Sequence, residues 1–298
     1  MIRQARLTIC VTTTPAFPFT PTLVDLGDGE ALSVTDVGSG PVVVFSHGTP
    51  TWSYEWRHLL GLLSTRYRCI AVDHLGFGRS ARPAGADYSP EAHARRFSKL
   101  LEVLRVDRHH LVVHDFGGPM ALDGALAHPE RVASVTLFNT FAWPFSDEPI
   151  SRRRARLAGT SLFRWAYGAL NLSFVISRSA WGDPKTVTKE TWPPYLSVFP
   201  DAASRRLVLW ALAKSLLGST AFFESLWARR QRLASTPMQV VWGLKDSAFP
   251  PSALAKLREA WPHASVLELA AAGHWPHEEQ PDVCARAVLH FLDGVTSP

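Results

Sequence analysis

The chain has 298 residues, of which 46% are hydrophobic and 19% charged, a balance that predicts one large globular core and lacks the polar bias of disorder. Its apolar stretches are strand-sized, as at residues 41–45, and fall short of the roughly 20 residues that a membrane helix needs, so we expect a soluble protein without a membrane partner. The net charge of +5 lies partly in two arginine-rich runs, residues 152–156 and 229–232, which favour solvated helix faces over a nucleic-acid partner.

The three cysteines, Cys10, Cys69 and Cys284, are too few and too scattered for a disulfide framework or a metal cluster. Residues 1–10 carry two arginines, but the apolar stretch beside them is short and lacks a small-residue cleavage pattern. We therefore do not interpret this segment as a signal peptide. These observations favour a reducing cytoplasm and no metal site.

Strand-like and helix-like runs alternate up to residue 140, which is the pattern of a parallel sheet with helices on its faces. Runs rich in Val, Ile and Leu predict buried parallel strands at residues 42–46, 69–73, 111–115 and 132–138. Ser89, Pro90 and Glu91 form a helix-start signal, and the helix is predicted to continue to about residue 106.

The alternation stops at residue 141, where a helix-rich segment begins that holds six of the eleven tryptophans. Such a segment is either ordinary helical packing or a lid over an apolar pocket. The strand pattern resumes later, with strands predicted at 238–242 and 265–269 and helices at 251–260 and 282–292. The predicted organisation is a core in two parts, residues 1–140 and 237–298, with a helical cap at 141–236 between them.

The predicted strand 111–115 ends in a carboxylate, Asp115, and Gly117 and Gly118 follow almost at once. A tight turn from strand to helix lifts one side chain above the sheet edge, and nearby glycines let the backbone fold back. A carboxylate in this position attacks saturated or strained carbon and forms an ester on the enzyme. An isolated Asp-x-Gly is also compatible with a simple helix cap.

A second signal is the glycine turn Ser46-His47-Gly48-Thr49-Pro50, directly after a predicted strand. Such a turn can aim a backbone N–H into a site, so we predict that the N–H groups of Thr49 and Phe116 form an oxyanion hole. His47 is more plausible as a structural residue, because loop histidines commonly satisfy neighbouring backbone groups.

A third signal is His274, which follows the last predicted strand and suits the base of a nucleophile–acid–histidine order. Asp246 comes just after the preceding strand, so its carboxylate can hold the imidazole in one tautomer. Asp147 and Glu148, after the earlier strand, are the alternatives for the acid. We predict Asp246.

The motifs resemble those of haloalkane dehalogenases within the α/β-hydrolase superfamily. The resemblance rests on residues 47–57 (HGTPTWSYEWR), 73–80 (DHLGFGRS), 113–118 (VHDFGG) and 273–274 (GH). It covers the sheet domain and is weak in the insertion, and epoxide hydrolases share the same frame. It implies an α/β-hydrolase fold, in which a mostly parallel sheet carries helices on both faces and a helical cap.

Two departures from the family pattern concern the leaving group. Dehalogenases of this kind usually follow the nucleophile with tryptophan and place asparagine or glutamate after His-Gly, whereas this chain has Phe116 and Thr49. Phenylalanine has no hydrogen-bond donor. An indole N–H from Trp143, Trp165 or Trp181, or the Thr49 hydroxyl, is a possible replacement, and the sequence does not choose among them.

The resemblance implies a two-step hydrolysis of a small apolar organic substrate by water, with no cofactor: Asp115 forms an alkyl ester and His274 activates water to cleave it. The sequence leaves the oligomeric state open. An epoxide hydrolase, with Tyr167 and Tyr195 protonating the ring oxygen, is the main alternative. A lactone-cleaving relative and a non-catalytic binding protein on the same fold are two further ones.

Overall fold

The computed structural model describes residues 17–147, 149–249 and 251–296. The described residues contain an eight-stranded sheet with the order β1-β2-β4-β3-β5-β6-β7-β8. The strands are β1 (Thr22–Asp25), β2 (Ala31–Val37), β3 (Val42–Ser46), β4 (Arg68–Asp73), β5 (His109–Asp115), β6 (Val132–Thr140), β7 (Met238–Gly243) and β8 (Ser265–Leu269).

The sheet is mostly parallel, which confirms the predicted fold class. The ladders from β4 through β3 to β8 run parallel, and β1 and β2 add an antiparallel edge. β5 is buried along its whole length, including its three histidines, and its apolar centre Leu111–Val113 is typical of a buried parallel strand. Because parallel strands end at the same edge of a sheet, the residues that follow β3, β5, β7 and β8 converge there.

Helices of the sheet domain are α1 (Arg57–Leu63), α2 (Pro90–Val103), α3 (Gly117–Ala127), α10 (Pro251–Ala260), α11 (Pro276–Glu279) and α12 (Pro281–Thr296). The Ser89 side chain accepts a hydrogen bond from the Ala92 N–H, so the helix start predicted from Ser89 and Pro90 is correct. α2 ends earlier than predicted, and Arg105 beyond it has a φ of 52°, a left-handed conformation that cannot continue a helix.

The segment between β6 and β7 is helical in its described part, with no strand there. Its helices are α4 (Pro149–Ala158), α5 (Ser161–Leu170), α6 (Leu172–Ser179), α7 (Trp192–Leu196), α8 (Ala202–Gly218) and α9 (Thr220–Arg229). α8 packs against both α4 and α5. Asp201 caps α8 by accepting from the Ser204 N–H while the Ser204 hydroxyl bonds back to Asp201. We refer to residues 141–236 as the cap.

Among the described residues, no single helix has both the length and the apolar composition needed to cross a membrane. Only a bent pair, Ala202–Gly218 with Thr220–Leu233, meets both criteria, and its two arms are inclined by 65°.

Candidate active site

Asp115 occupies a strained turn between β5 and α3. Its φ is 46°, a left-handed conformation, and its carbonyl oxygen accepts a hydrogen bond of 2.6 Å from the Thr140 hydroxyl. The turn is possible because the surrounding positions are glycines. A Cβ at Gly117 would lie 2.2 Å from the Ser46 carbonyl oxygen, and one at Gly48 would lie 2.4 Å from the Asp115 Cβ. The sequence -Asp-Phe-Gly-Gly- thus forms the sharp elbow that its pattern predicts.

The two oxygens of the Asp115 carboxylate have different surroundings. Oδ2 accepts a hydrogen bond of 2.8 Å from the Thr49 N–H. Oδ1 lies 3.8 Å from Nε2 of His274. The side chain of Asp115 is only 10% exposed. Within the described chain, the N–H of Phe116 forms no hydrogen bond with this carboxylate, so Thr49 is the donor that holds it.

The loop that carries Thr49 is fixed by His47. Nδ1 of His47 donates to the Gly48 carbonyl oxygen at 2.7 Å, and Nε2 accepts from the His74 N–H at 3.0 Å. Both ring nitrogens therefore bond to backbone, which is what we expect of a structural histidine.

His274 and Asp246 lie together after the last two strands. Nδ1 of His274 donates to Oδ2 of Asp246 at 2.8 Å. The same oxygen accepts a hydrogen bond of 2.7 Å from the Asn139 side-chain amide, and Oδ1 accepts from the N–H groups of Ala248 and Phe249 at 2.7 and 3.2 Å. The structure therefore brings the three residues of the predicted triad into one chain of contacts, Asp246 to His274 to Asp115.

The electrostatics of the pair favour an imidazole that can take up a proton. Burial lowers the pKa of His274, but the charge and hydrogen bond of Asp246, with a smaller effect from Asp115, raise it above its ordinary value of 6.5. Burial raises the pKa of Asp246, but His274 and Asn139 lower it by more, so the net direction is downward. Asp246 is therefore a carboxylate that stabilises the imidazolium.

Asn139 is a contributor to the site that the sequence analysis missed. It lies near the end of β6, has a φ of 25°, and accepts a hydrogen bond of 2.9 Å from the Gly243 N–H while donating to Asp246. An amide side chain in a buried strand whose other polar residues are small hydroxyls is the signal that points to it. Of the alternative acids, Glu148 lies outside the described residues, as does the side chain of Asp147.

A buried polar cluster lies directly behind the triad and was also missed. Glu55, His114 and His277 are fully buried. One carboxylate oxygen and one nitrogen from each imidazole lie within 4.8 Å of one another, so the group has the donor set for a metal ion. The same atoms also serve as internal contacts: Nδ1 of His114 lies 3.3 Å from Glu55, and Nε2 donates to the His274 carbonyl oxygen at 2.9 Å.

Glu55 also reaches the loop that holds Thr49. It accepts a hydrogen bond of 3.3 Å from the Gly48 N–H and another from the Thr51 hydroxyl. Burial raises the pKa of Glu55, but His114 and His277 hold it well below its usual range. The buried Glu55 carboxylate therefore contacts the loop that carries Thr49 and, through His114, the loop that carries His274.

A cavity of about 610 Å³ lies above Asp115, between the sheet edge and the cap. Asp115, His274, Thr49 and Phe116 form part of its wall, and apolar cap side chains form another part, among them Phe145, Leu157, Phe163, Leu209, Leu212 and Leu216. The wall is therefore mainly apolar with a few converging polar groups, which is typical of a small-molecule site.

The cap donors suggested by the sequence lie in different places. Tyr167 lines the cavity, and its hydroxyl makes a long hydrogen bond of 3.4 Å to the Ala158 carbonyl oxygen. Trp165 is 54% exposed, and neither it nor Trp143 or Trp181 lines this cavity. The structure therefore does not bring these three indoles to Asp115.

Tyr195 is held away from the cavity by a buried ion pair. Its hydroxyl donates to Glu278 at 2.6 Å, and Glu278 pairs with Arg57. Burial raises the pKa of Tyr195 well above 10, so this phenol is a poor acid.

Trp275 is a cavity residue to which the sequence analysis assigned no role. It directly follows His274, lines the cavity, and stacks on Trp181 with ring centroids 5.4 Å apart. Its indole N–H is buried and has no hydrogen-bond partner within the described chain. The Thr49 hydroxyl, on the same cavity wall, is likewise without a partner there.

Comparison with known proteins agrees with this geometry. The family described as alpha/beta hydrolase fold matches residues 41–281. The chain belongs to that family. It is 32% identical to haloalkane dehalogenase 2 of Mycobacterium tuberculosis, with 92% of this chain and 95% of the relative covered. It is 31% identical to a cis-3-alkyl-4-alkyloxetan-2-one decarboxylase of Xanthomonas campestris, with 94% and 98% covered.

The fold is also similar to solved hydrolase structures. A haloalkane dehalogenase of Agrobacterium tumefaciens superposes with a TM-score of 0.80 at 25% identity, covering 93% of this chain and 97% of the other. This hydrolase is therefore an enzyme of the haloalkane-dehalogenase-like branch of the family, as its motifs predict.

Proposed function

We propose that this hydrolase cleaves small apolar alkyl substrates, haloalkanes in the first instance, through a covalent ester on Asp115. The observation that carries the proposal is the contact set of the Asp115 carboxylate. One of its oxygens is bound by the Thr49 N–H, the other lies 3.8 Å from a histidine that Asp246 supports, and the residue lines the cavity. This arrangement suits a nucleophile whose ester is then attacked by water.

In the first step, Oδ1 of Asp115 attacks the carbon that bears the leaving group. The new C–O bond forms as the carbon–halogen bond breaks, and the halide departs with the bonding electron pair. In the second step, His274 takes a proton from water, and the hydroxide adds to the carboxyl carbon of Asp115. The tetrahedral oxyanion develops at Oδ2, where the Thr49 N–H stabilises it. Collapse releases the alkoxide, which takes the proton back from His274, and the carboxylic acid then loses its own proton to solvent.

The departing halide needs hydrogen-bond donors that Phe116 does not supply. We assign this role to the Thr49 hydroxyl and the Trp275 indole N–H, because both are buried without partners on residues of the cavity wall. A hydrogen bond to a charged group contributes roughly 1.5–3 kcal/mol. We therefore expect Trp275→Phe to slow cleavage of the carbon–halogen bond. Trp165→Phe should slow it less, because the Trp165 ring lies outside the cavity.

The test is a single turnover in water enriched in oxygen-18. If Asp115 forms the ester and water attacks its carboxyl carbon, the first alcohol released is unlabelled and peptide mass analysis finds the label on Asp115. Direct attack of water on the substrate carbon would label the alcohol and leave Asp115 unchanged. His274→Gln, which removes the base, is expected to halt the reaction at the ester and leave a mass adduct on Asp115.

A lactone is the second candidate substrate, supported by the near-full-length similarity to an oxetanone decarboxylase and by the donorless Phe116. A β-lactone presents Asp115 with an alkyl C–O bond whose cleavage releases a tethered carboxylate rather than a free halide. Loss of carbon dioxide from such a ring leaves an alkene. Product analysis therefore separates the two candidates, because dehalogenation yields alcohol and halide whereas decarboxylation yields alkene and carbon dioxide.

Epoxide hydrolysis is less well supported, because Tyr195 is bound to Glu278 and only Tyr167 lines the cavity. Burial raises the pKa of Tyr167 to about 12, which weakens it as a proton donor. A catalytically inactive binding protein is also disfavoured, since all three members of the triad are present and in contact. A cytoplasmic location remains our proposal, supported by the free, buried thiols of Cys69 and Cys284.

A further inference from the structure

Helices α4, α5 and α6 of the cap expose an unusual number of large apolar side chains. We call the surface formed by residues 149–179 the cap surface. It holds seven of the ten large hydrophobic residues that are exposed in the described chain: Ile150, Leu157, Leu162, Trp165, Leu170, Val175 and Ile176. Single exposed apolar residues need no explanation, but a concentration on three consecutive helices indicates a surface that contacts something apolar.

The charge on the same surface has only one sign. Residues 149–179 contain six arginines and no lysine, aspartate or glutamate, although the whole chain has a net charge of only +5. Arg152, Arg153 and Arg156 are exposed, and none of the six forms a salt bridge within residues 17–147, 149–249 and 251–296. Arg164 and Arg178 lie over the rings of Trp210 and Trp192. The surface therefore combines exposed apolar side chains with positive charge that forms no salt bridge among the described side chains.

The substrate cavity opens on the cap surface. Leu157 of α4 and Ile176 of α6 both line the cavity, yet they are 53% and 50% exposed. A side chain that lies on the cavity wall and also in solvent marks the mouth of the cavity. Arg154, exposed and on the cavity wall, lies at the same opening.

We propose that the cap surface docks on an anionic lipid bilayer and that apolar substrate enters the cavity from the membrane. Surface helices with apolar residues and arginines bind such interfaces through buried apolar area and attraction to anionic headgroups. A second copy of this chain is a poorer occupant, since a two-fold interface would bring twelve arginines together without compensating acids. The proposal concerns attachment at the surface and requires no membrane-spanning helix, and it departs from the sequence-based expectation of no membrane partner.

The purpose of the docking rests on the proposed function, but the docking itself is measured without substrate. Purified protein is mixed with vesicles of phosphatidylcholine alone or with added phosphatidylglycerol, and binding is read from flotation. We expect binding to the anionic vesicles that weakens as salt is added, because exposed charges are screened. Each arginine near such a surface contributes a few-fold in partitioning, so Arg152→Gln/Arg153→Gln/Arg156→Gln together should reduce it by roughly 100-fold.

A matched variant controls for the change in net charge. Arg108, Arg131 and Arg286 are exposed arginines outside the cap, and Arg108 and Arg131 precede β5 and β6 at the opposite edge of the sheet from Asp115. Their replacement by glutamine should leave vesicle binding within about twofold of the unmodified chain. Equal loss in both triple variants would show that only overall charge matters and would overturn the assignment to the cap.

Contact with the apolar layer is tested through Trp165. Lipids brominated on the acyl chain should quench the protein's tryptophan fluorescence, and Trp165→Phe should remove most of this quenching while flotation persists. Binding that does not depend on anionic lipid, or that leaves Trp165 unquenched, would contradict the proposal. The proposal would also be contradicted if the protein did not bind vesicles but self-associated, and if Leu162→Ser abolished that self-association. That result would identify a second copy of the chain as the occupant. Each of these outcomes is independent of whether Asp115 reacts with a haloalkane.

Discussion

Replacement of Asp246 by asparagine isolates the second chemical step. Oδ1 of Asp246 accepts two backbone N–H groups, so the oxygen of the new amide must remain on that side. Its NH₂ group then faces the Asn139 side-chain amide and Nδ1 of His274. Asn139 cannot relieve the conflict by turning over, because its own oxygen accepts from the Gly243 N–H. His274 can satisfy the new amide only by placing its proton on Nε2.

The altered tautomer has a calculable effect. With Nε2 protonated, His274 cannot accept a proton from water, and the equivalent loss in a serine-protease triad lowers kcat roughly 10⁴-fold. This corresponds to about 5.4 kcal/mol of activation free energy at about 1.36 kcal/mol per factor of ten. Ester formation does not require a proton from His274, so it should continue at a rate within about tenfold of the original. Quenched-flow intact-mass analysis should therefore show an adduct on Asp115 that forms quickly and persists.

The matched controls are Asp147→Asn and Glu148→Gln, which alter the two alternative acids and should change turnover less than about threefold. Circular dichroism and thermal unfolding check that each variant folds. The reasoning is refuted if Asp246→Asn retains turnover within tenfold of the original, or if either control variant loses more activity than it does. Loss of both steps together would also refute it, because in the described structure the contacts of Asp246 reach Asp115 through His274.

Three further outcomes follow from the described contacts. Asp246 raises the pKa of His274, and His274 must be neutral to act as a base, so kcat should rise with pH along an acid limb centred above pH 6.5. An acid limb centred below pH 6.5 in the pH–kcat profile would contradict the assignment. Phe116→Trp adds an indole donor to the cavity wall, so chloride release from chloroalkanes should increase roughly tenfold in a halide assay, whereas an unchanged rate would show that the leaving group lies elsewhere. Arg57→Met leaves the buried Glu278 carboxylate unpaired and should reduce the free energy of unfolding by about 3–5 kcal/mol in urea titrations, against less than about 0.5 kcal/mol for the exposed Arg286→Met.

The sheet domain was predictable because its signals are local in the sequence. The strands at 42–46 and 265–269 and the helix at 251–260 have the predicted bounds, since apolar runs and turn residues define them directly. The elbow at Asp115 was predictable for the same reason. Its signal lies within a few consecutive residues, a buried strand, a carboxylate and two glycines.

The supporting residues of the site were not predictable in this way. Asn139 and Asp246 are 107 positions apart in the chain, and Glu55 follows β3 whereas His114 lies within β5. Their roles depend on which strands lie side by side, and a single sequence shows that only after the sheet order is known. The sequence could not choose among the cap tryptophans for a related reason, because whether an indole lies on the cavity wall depends on how the cap helices pack.

The contacts of Asp115 give its two oxygens different roles before any substrate binds. In the proposed mechanism, the oxygen that accepts from the Thr49 N–H carries a reduced charge, so Oδ1 is the better nucleophile. In the same mechanism, the bound oxygen becomes the ester carbonyl after alkylation and the oxyanion when hydroxide adds. The Thr49 N–H therefore stabilises the ground-state carboxylate weakly and the localised oxyanion strongly. This difference in stabilisation is what accelerates a reaction. Glu55 and His47 fix the loop that carries this donor, so the stabilisation requires no rearrangement at the moment of reaction.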